Sequence, residues 1–371
     1  MSRSLVVHLA KIAGISGAEA HLLSLLPDLR DRGWELRFCM LHEHEPGAQE
    51  FARELEARGI AVDQISLAAD VDPIAFVRLV TYLARRRPAL LHTHLVHADV
   101  YGQLAGPLAG VPVRFSTKHG FNEFREDRGF AVADRAIARF AQKHIAISRG
   151  LARYLAETEG FSEHGFEIVH YGIAPTDGAP APAPAGPLRL LCIGRLIPIK
   201  GHMVLLRALA DVLPELPEVT LDIAGRGPLE PALRAFTKEL GIEASVRFRG
   251  YVSPIQSAIE ESGAVVVPSL GEGFGMVALE AMERARPVIA ARVGGLEDLV
   301  ADGATGLLVP SAEVEPLAHA IRTLAREPDL ARRMGEAGRR RALEVFAERR
   351  CTDRTEILYR SVLDGRADMS A

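Results

Sequence analysis

Residues 268 to 286 read PSLGEGFGMVALEAMERAR, and this stretch decides the fold of the second half of the chain. The apolar run Ala264 to Val267 leads into it, and Pro268 ends that run. A glycine-rich loop follows, and a helical pattern begins near Met276 and stops before Pro287. This order of strand, glycine loop and helix lets backbone N–H groups and a helix N-terminus face one ligand. Such an arrangement suits an anion.

Two carboxylates flank this loop. Glu272 lies within it, and Glu280 lies one helical turn beyond Met276, so Glu280 can share a face with the loop. A carboxylate accepts hydrogen bonds from the vicinal hydroxyls of a sugar, whereas loop amides suit phosphate. Together they favour a ligand with both groups, such as a nucleotide-sugar. A glycine loop by itself is more often an ordinary turn beside a surface glutamate.

The bulk composition indicates a soluble globular protein. The chain has 371 residues, 48% of them apolar and 25% charged, which is enough for two domains. The net charge of −4 predicts no general attraction to nucleic acid. Three scattered cysteines, Cys39, Cys192 and Cys351, form no disulfide or zinc pattern and fit a reducing cytoplasm. No apolar run reaches the ~18 residues of a spanning helix, so we expect a cytoplasmic protein whose membrane contact is peripheral.

Strand-like and helical patterns alternate throughout, which predicts two doubly wound α/β domains. Residues 173–187, IAPTDGAPAPAPAGP, separate them, and this proline- and alanine-rich composition predicts an extended linker that does not pack. The expected domains are 1–172 and 188–348, followed by a helix in 349–371. Pro27 is expected to kink or interrupt the first helix. The better-defined strands are predicted at residues 5–10, 35–41, 60–66, 88–93, 113–117, 144–148, 167–171, 188–193, 264–267, 287–290 and 306–309.

Several histidines follow or end predicted strands of the first domain. His92 and His94 alternate onto one face of a strand, and His97 lies in the turn after it. A zinc site needs further ligands close by, so structural or cleft-lining histidines are favoured over a metal site. His119 follows the next strand, at the edge where open α/β sheets bind ligands.

A basic segment, residues 121–143, carries Arg125, Arg128, Arg135, Arg139 and Lys143 among phenylalanines. A basic face with interleaved aromatic rings can hold a phosphorylated or lipid-linked ligand at a membrane surface. A solvated amphipathic helix explains the same pattern equally well.

Three strings resemble one family. EGFGMVALE, residues 272–280, closely resembles the E-x7-E motif of the retaining glycosyltransferases of family 4, glycosyl transferases group 1, which have the GT-B fold. GRLIPIKGH, residues 194–202, is similar to the family pattern in which an arginine and a lysine, here Arg195 and Lys200, bind the donor diphosphate. GISGAEAHLLSL, residues 14–25, resembles the family's N-terminal glycine loop. Two cations beside a helix N-terminus also suit a pyrophosphate on chemical grounds.

The resemblance implies two Rossmann-like domains facing a central cleft, with the C-terminal helix crossing back to the first domain, which binds the acceptor. In the family, Glu280 would hold the ribose, Glu272 the hydroxyls of the donor sugar, and His119 would orient the reacting sugar. Arg195 and Lys200 would complete the catalytic set, with no metal or cofactor required because the side chains supply the cations. The implied donor site consists of Gly14, Gly17, Arg195, Lys200, Glu272, Gly273, Phe274, Gly275, Met276, Val277 and Glu280.

The implied activity is retaining hexosyl transfer from a UDP- or GDP-linked sugar to a glycan or lipid-linked acceptor. Such an enzyme would serve the synthesis of cell-surface polysaccharide, lipopolysaccharide or glycolipid. Two alternatives stay open. A nucleotide-sugar epimerase of the same fold would need no acceptor, and a non-catalytic subunit would bind donor or glycan without turnover.

Overall fold

A computed structural model describes residues 4–121, 128–176 and 178–367. The chain forms two compact units. Unit 1 comprises Met1–Gly172 and Glu348–Ala371, and unit 2 comprises Ile173–Ala347. Each unit contains one parallel sheet with helices between successive strands, so the predicted α/β class is confirmed.

The sheet of unit 1 has seven strands in the order β3-β2-β1-β4-β5-β6-β7. Its strands are β1 (Leu5–Lys11), β2 (Glu35–His42), β3 (Ala61–Ser66), β4 (Leu90–His94), β5 (Val113–Lys118), β6 (Lys143–Ala146) and β7 (Phe166–Ile168). Its helices before the unit boundary are α1 (Gly17–Asp31), α2 (Pro46–Ala57), α3 (Pro73–Arg86), α4 (Leu95–Leu108), α5 (Arg128–Ala138) and α6 (Arg149–Glu159).

Both faces of this sheet are covered. Phe38 and Phe51 lie in a core on one face, and Leu79 and Leu83 lie in a separate core on the other. Strands buried on both sides need continuous apolar sequence, which is why the unbroken runs of the sequence became parallel strands. Pro27 was expected to kink or interrupt α1, and it does not interrupt it, because the helix continues from Gly17 to Asp31. Its buried leucines pack on the core along the whole helix, which offsets the lost hydrogen bond.

The sheet of unit 2 has six strands in the order β10-β9-β8-β11-β12-β13. They are β8 (Arg189–Ile193), β9 (Thr220–Ala224), β10 (Val246–Gly250), β11 (Ala264–Val267), β12 (Val288–Ala291) and β13 (Gly306–Val309). The helices are α7 (His202–Val212), α8 (Glu230–Glu239), α9 (Ile255–Glu260), α10 (Met276–Glu283), α11 (Leu296–Leu299), α12 (Val314–Arg326) and α13 (Pro328–Val345).

In both sheets the strand order reverses beside the first strand of the unit. The chain proceeds outward in one direction from β1 and in the other from β4, and the same holds for β8 and β11. Loops that leave neighbouring strands in opposite directions open a crevice at the carboxyl ends of those strands. Each unit therefore has one such point, after β1 and β4 in unit 1 and after β8 and β11 in unit 2.

The C-terminal helix α14 (Glu348–Ala367) belongs to unit 1. Its residues Leu358 and Tyr359 are buried in the same core as Phe38. Arg32, directly after α1, pairs with Asp353 at 2.5 Å, which fixes the exposed side of α14. The last helix therefore completes a layer of unit 1 after the chain has formed unit 2.

The proline-rich segment packs on unit 2, so the expectation that it does not pack is wrong. The buried guanidinium of Arg286 donates to the carbonyls of Ala181 at 3.0 Å and Pro182 at 3.3 Å. Thr176 donates its hydroxyl to Glu283 at 3.0 Å. A buried guanidinium needs several acceptors, and carbonyls of a segment with few N–H groups are free to supply them.

Two single segments of unit 1 complete the description. Asp72 accepts hydrogen bonds from the N–H groups of Ile74 and Ala75, so it is the N-cap of α3. Within the basic segment, residues 122–127, including Arg125, and the side chain of Arg128 lie outside the described residues. Lys143 lies 2.8 Å from Glu167 in an ion pair. No helix in the described parts of the chain is long and apolar enough to cross a membrane.

Candidate functional site

The loops after β8, β9 and β11 touch one another through glycines. Gly201 has a φ of +68°, and a Cβ there would lie 1.9 Å from the carbonyl oxygen of Pro268. A Cβ at Gly225 would lie 1.8 Å from the carbonyl oxygen of Gly194. Only glycine permits such backbone contacts, so the loops form a close-packed layer at the reversal point of the sheet.

Lys200 and Glu272 meet in this layer. The Lys200 ammonium lies 2.7 Å from Oε2 of Glu272, and the hydroxyl of Ser269 donates to the same oxygen at 3.1 Å. The two charged side chains are 25% and 16% exposed, so a ligand can still reach them. An ammonium held by one carboxylate can exchange that partner for phosphate oxygens, which would release the carboxylate for hydroxyl groups.

The glycine loop is held in place by its neighbour after β12. The N–H of Gly295 donates to the carbonyl of Glu272 at 3.0 Å, and a Cβ at Gly295 would lie 2.4 Å from Cα of Phe274. Gly275 has a φ of +101° and precedes α10, whose first turn contains Met276. The ring of Phe274 is buried and packs edge-to-face on Phe346, so this predicted donor-site residue supports the loop from inside.

Glu280 lies half-buried on α10, four residues after Met276, and Val277 is also half-buried. Removal of its carboxyl group from water raises the pKa of Glu280 to about 7. Near neutral pH this carboxyl therefore exists in both forms. The ionised form accepts hydrogen bonds from hydroxyl groups, and the neutral form also donates one.

Arg195 and His202 flank Lys200 in sequence but differ in environment. Arg195 is exposed directly after β8 and has no ion pair within the described part of the chain. His202, the first residue of α7, is buried, and neither of its ring nitrogens has a hydrogen-bond partner among the described residues. Burial, together with the charge of Lys200, lowers the pKa of His202 to about 4. Sequence reasoning missed this histidine, although it ends the quoted string GRLIPIKGH.

In unit 1, His119 directly follows β5 and begins a chain of hydrogen-bonded histidines. Its Nε2 lies 3.0 Å from Nδ1 of His94, and Nε2 of His94 lies 2.9 Å from Nδ1 of His8. The other ring nitrogen of His119, Nδ1, is hydrogen-bonded to the hydroxyl of Tyr171. Hydrogen bonds thus link His119, a predicted site residue, to buried histidines in the interior of unit 1.

Two members of this cluster were not found from the sequence. His8 is paired with His92 across β1 and β4, and neighbours in a parallel pair face the same side. Tyr359 of α14 is joined to His92 at 2.6 Å and to His8 at 3.2 Å. A histidine inside an apolar strand was the only signal for His8, whereas nothing local distinguished Tyr359. His97 lies apart, 3.0 Å from Asp70.

The histidines His8, His92 and His94 each have a ring nitrogen within 4.8 Å of the others. All six of their ring nitrogens already have partners, namely each other, Tyr359, Thr117 and His119. Hydrogen bonding within unit 1 therefore accounts for all six nitrogens. Burial lowers the pKa of His8 to about 3 and those of His94 and His119 well below their usual value, so these rings are neutral.

The glycine loop after β1 lies where the strand order of the unit 1 sheet reverses. Gly14 is in this loop, and Gly17 is the first residue of α1. The N–H of Ser16 donates to the carboxylate of Glu19 at 3.0 Å, which fixes the start of the helix. Since β1 and β4 are neighbours, with Ala10 opposite His94, the loop and the histidine chain end at one edge of the sheet.

Both halves of the chain match known families. Residues 176–341 match the family model of glycosyl transferases group 1, and residues 16–172 match that of a glycosyl transferase 4-like domain. The chain belongs to the glycosyl transferases group 1 family. The predicted resemblance to family 4 is therefore confirmed, and the E-x7-E string and the Arg195–Lys200 string both lie within the first match.

Curated relatives are about a third identical to the chain over the segments that align. A D-inositol 3-phosphate glycosyltransferase from Streptomyces avermitilis is 35% identical over 254 residues, which is 63% of this chain and 53% of that protein. The corresponding protein from Nocardia farcinica is 35% identical over 271 residues, 68% of this chain and 56% of its own length. The chain thus matches little more than half of either relative.

A third relative carries a more detailed name. A GDP-mannose-dependent alpha-(1-6)-phosphatidylinositol monomannoside mannosyltransferase from Mycolicibacterium smegmatis is 35% identical over 164 residues, 42% of this chain and 43% of that protein.

Solved structures show the same fold. Anabaena Alr3699/HepE in complex with UDP and glucose matches with a TM-score of 0.84 and 21% identity, over 97% of this chain and 100% of that chain. The lipopolysaccharide outer core galactosyltransferase WaaB matches with a TM-score of 0.77 and 19% identity, over 95% of this chain and 98% of its own. The fold of this group 1 member is therefore GT-B, as predicted.

Proposed function

We propose that this protein is a retaining glycosyltransferase that moves a hexose from a nucleoside diphosphate sugar to an acceptor hydroxyl. One observation carries the proposal. Lys200 and Glu272, each predicted to bind a different end of such a donor, lie 2.7 Å apart at the reversal point of the unit 2 sheet. An open α/β sheet binds its ligand at this point.

The donor diphosphate takes the place of Glu272 beside the Lys200 ammonium. Arg195, exposed five residues before Lys200, and the amides of the glycine loop add further positive potential. Glu272, released from Lys200, accepts hydrogen bonds from hydroxyls of the donor sugar. Glu280 holds the ribose. The buried ring of His202, which has no hydrogen-bond partner among the residues that the structure describes, offers one more hydrogen-bond donor near the Lys200 charge.

The transfer step needs no protein nucleophile. The acceptor hydroxyl attacks the anomeric carbon on the face that the diphosphate leaves, so the configuration is retained. The carbon–oxygen bond to the diphosphate breaks as the bond to the acceptor forms, and the acceptor proton passes to a phosphate oxygen. Lys200 and Arg195 stabilise the charge that grows on the leaving group, in place of a metal ion. His119, neutral because it is buried, orients the reacting sugar.

The donor is a UDP- or GDP-sugar and the acceptor is a glycan or a lipid-linked sugar. The names of related proteins support this range, since one uses GDP-mannose on a phosphatidylinositol mannoside and a structural neighbour binds UDP and glucose. Products of this kind belong to cell-surface polysaccharide, lipopolysaccharide or glycolipid.

A lipid-linked acceptor implies that the protein works at the cytoplasmic face of a membrane, in peripheral contact with it. Helix α3 supports this proposal. Ile74 and Val77 are 66% and 62% exposed on it, and Arg78, Arg85 and Arg86 are exposed beside them. Exposed apolar side chains among arginines suit the interface of an anionic membrane.

The test is an assay with UDP-glucose and GDP-mannose, each with and without a panel of glycan and glycolipid acceptors. We expect product only with acceptor present, and its anomeric configuration by NMR should match that of the donor. Conversion of the donor sugar without acceptor would identify an epimerase instead. Donor binding without turnover on any acceptor would identify a binding subunit.

A further inference from the structure

A continuous chain of hydrogen bonds runs from His119 into the interior of unit 1. It passes from His119 to His94 at 3.0 Å and from His94 to His8 at 2.9 Å. His8 is joined at 3.2 Å to the hydroxyl of Tyr359. The chain then continues from Tyr359 to His92 and from His92 to the hydroxyl of Thr117, both at 2.6 Å.

Every histidine in this chain is neutral, because burial opposes a charged ring. A neutral imidazole donates through one ring nitrogen and accepts through the other. The nitrogen that carries the proton in one ring therefore determines which nitrogen carries it in the next ring. The chain has two consistent arrangements, with all histidines protonated on Nδ1 or all protonated on Nε2.

The Thr117 end of the chain decides between these arrangements. The Thr117 hydroxyl has one hydrogen-bond partner in the described part of the chain, Nε2 of His92. If His92 donated from Nε2, the Thr117 proton would be left without an acceptor in a buried site. An unpaired buried donor is unfavourable, whereas an unused lone pair on a hydroxyl oxygen costs less. Thr117 therefore donates to His92.

The direction of the hydrogen bond from Thr117 to His92 fixes the direction of every later hydrogen bond. His92 donates from Nδ1 to the oxygen of Tyr359, and Tyr359 donates to Nε2 of His8. His8 then donates from Nδ1 to Nε2 of His94, and His94 donates from Nδ1 to Nε2 of His119. His119 is left with its proton on Nδ1, the nitrogen beside Tyr171.

We infer that Thr117, His92, Tyr359, His8 and His94 are positioning residues that hold His119 in its Nδ1–H tautomer. The ring then donates from Nδ1 to the hydroxyl oxygen of Tyr171, so Tyr171 directs its own proton away from His119. An oxygen of the substrate can accept from this N–H only by replacing the Tyr171 hydroxyl. The part of this inference that concerns the substrate rests on the proposed function, whereas the tautomer itself does not.

Tyr359 matters because its hydroxyl joins the two parts of this hydrogen-bond chain. It lies in α14, far along the sequence from the strands that carry the histidines, and its side chain is fully buried. In Tyr359→Phe, His8 loses the group that donates to its Nε2. The preference of His8, His94 and His119 for Nδ1–H should weaken, since nothing then connects them to Thr117.

The experiment is 15N NMR of the full-length protein labelled at the histidine rings. The His119 signals are assigned by their disappearance in His119→Gln. We expect a neutral Nδ1–H ring for His119 in the wild type, and a mixture with Nε2–H in Tyr359→Phe. The matched control is Tyr82→Phe, which removes a hydroxyl bonded to Asp63 elsewhere in unit 1 and should leave His119 unchanged.

A kinetic measurement completes the test. In Tyr359→Phe we expect kcat to fall about tenfold with KM nearly unchanged, because His119 would no longer be held in one tautomer as the transition state forms. An Nε2–H ring in the wild type would overturn the inference while leaving sugar transfer intact. An Nδ1–H ring in a protein that transfers no sugar would instead sink the proposed function. Equal tautomer shifts in Tyr359→Phe and Tyr82→Phe would also overturn the inference.

Discussion

The Lys200 ammonium lies 2.7 Å from the carboxylate of Glu272, 72 positions later in the chain. The pair keeps a cation and an anion together at the end of the sheet where phosphate and sugar are expected. Neither charge is buried alone, and both remain within reach of a ligand. Binding of a donor therefore has to separate the pair, and this exchange gives the first prediction.

Lys200→Ala should reduce kcat/KM by about 10²–10³-fold, as expected when a group that stabilises transition-state charge is removed. The free energy of unfolding should fall by less than about 1 kcal/mol, because the pair is partly exposed and such pairs contribute little to stability. Steady-state kinetics and thermal melting measure the two effects. Lys238→Ala, an exposed lysine on α8, is the control and should change neither.

Glu280→Gln should abolish stabilisation of the protein by its donor. A ligand at 100 times its dissociation constant raises the free energy of unfolding by ~2.7 kcal/mol, a shift of a few degrees in Tm. We expect this shift from one nucleotide-sugar in a panel of UDP-, GDP- and ADP-sugars. The exposed Glu239→Gln should retain it. An equal shift in Glu280→Gln would remove this residue from the ribose site.

The pH dependence of stability should also change in Glu280→Gln. The pKa of Glu280 is raised by burial from 4.5 to about 7, so the folded protein keeps a proton that the unfolded chain has lost. The retained proton stabilises the folded protein fully below pH ~4.5. This stabilisation is lost as the pH rises to ~7, so that the free energy of unfolding falls by about 3 kcal/mol in total. Glutamine stays neutral and loses nothing over that range.

Unfolding of both proteins at pH 5 and pH 8 tests this sign. The variant should gain stability relative to the wild type between the two values. A constant difference would mean that the carboxyl ionises with an ordinary pKa.

Gly201→Ala should destabilise the protein by about 2–4 kcal/mol, more than its backbone conformation alone requires. Its Cβ would lie 1.9 Å from a carbonyl oxygen, in addition to the strain of a φ of +68°. Gly241→Ala is the matched control, with a φ of +66° and no atom within 4 Å of the added Cβ. Its expected cost is about 1–2 kcal/mol. Equal losses of Tm would show that the loops can separate.

Arg85→Gln and Arg86→Gln should each weaken binding to anionic vesicles by ~1 kcal/mol, about fivefold. Ile74→Ser should weaken it as well, because this side chain is exposed next to the arginines. Ile357→Ser, which removes an exposed isoleucine of α14, is the control. Cosedimentation with vesicles of anionic and of neutral lipid gives the measurement. Binding that is the same for both lipids, or for all variants, would contradict a contact through α3.

Much of the fold could be predicted because its signals are local. Apolar runs bounded by glycine and proline located the strands, and α10 begins at Met276 as expected. Ser148, directly before α6, caps that helix by accepting from the N–H of Leu151 at 3.0 Å. Capping and strand formation depend on a few neighbouring residues, so the sequence shows them directly. Where a distant partner competes, as in the proline-rich segment that Arg286 binds, the local expectation was wrong.

The sequence by itself determined the residue types and spacing of the donor loop, the family, and the positions of nearly every strand. Only the tertiary structure decided which strands are neighbours, and therefore that His8 lies beside His92 and Lys200 beside Glu272. It also placed Tyr359 against His92, 267 positions away, and the proline-rich segment against Arg286. The physical reason is that such contacts depend on how whole elements bury their apolar faces, and no short stretch of sequence encodes that choice.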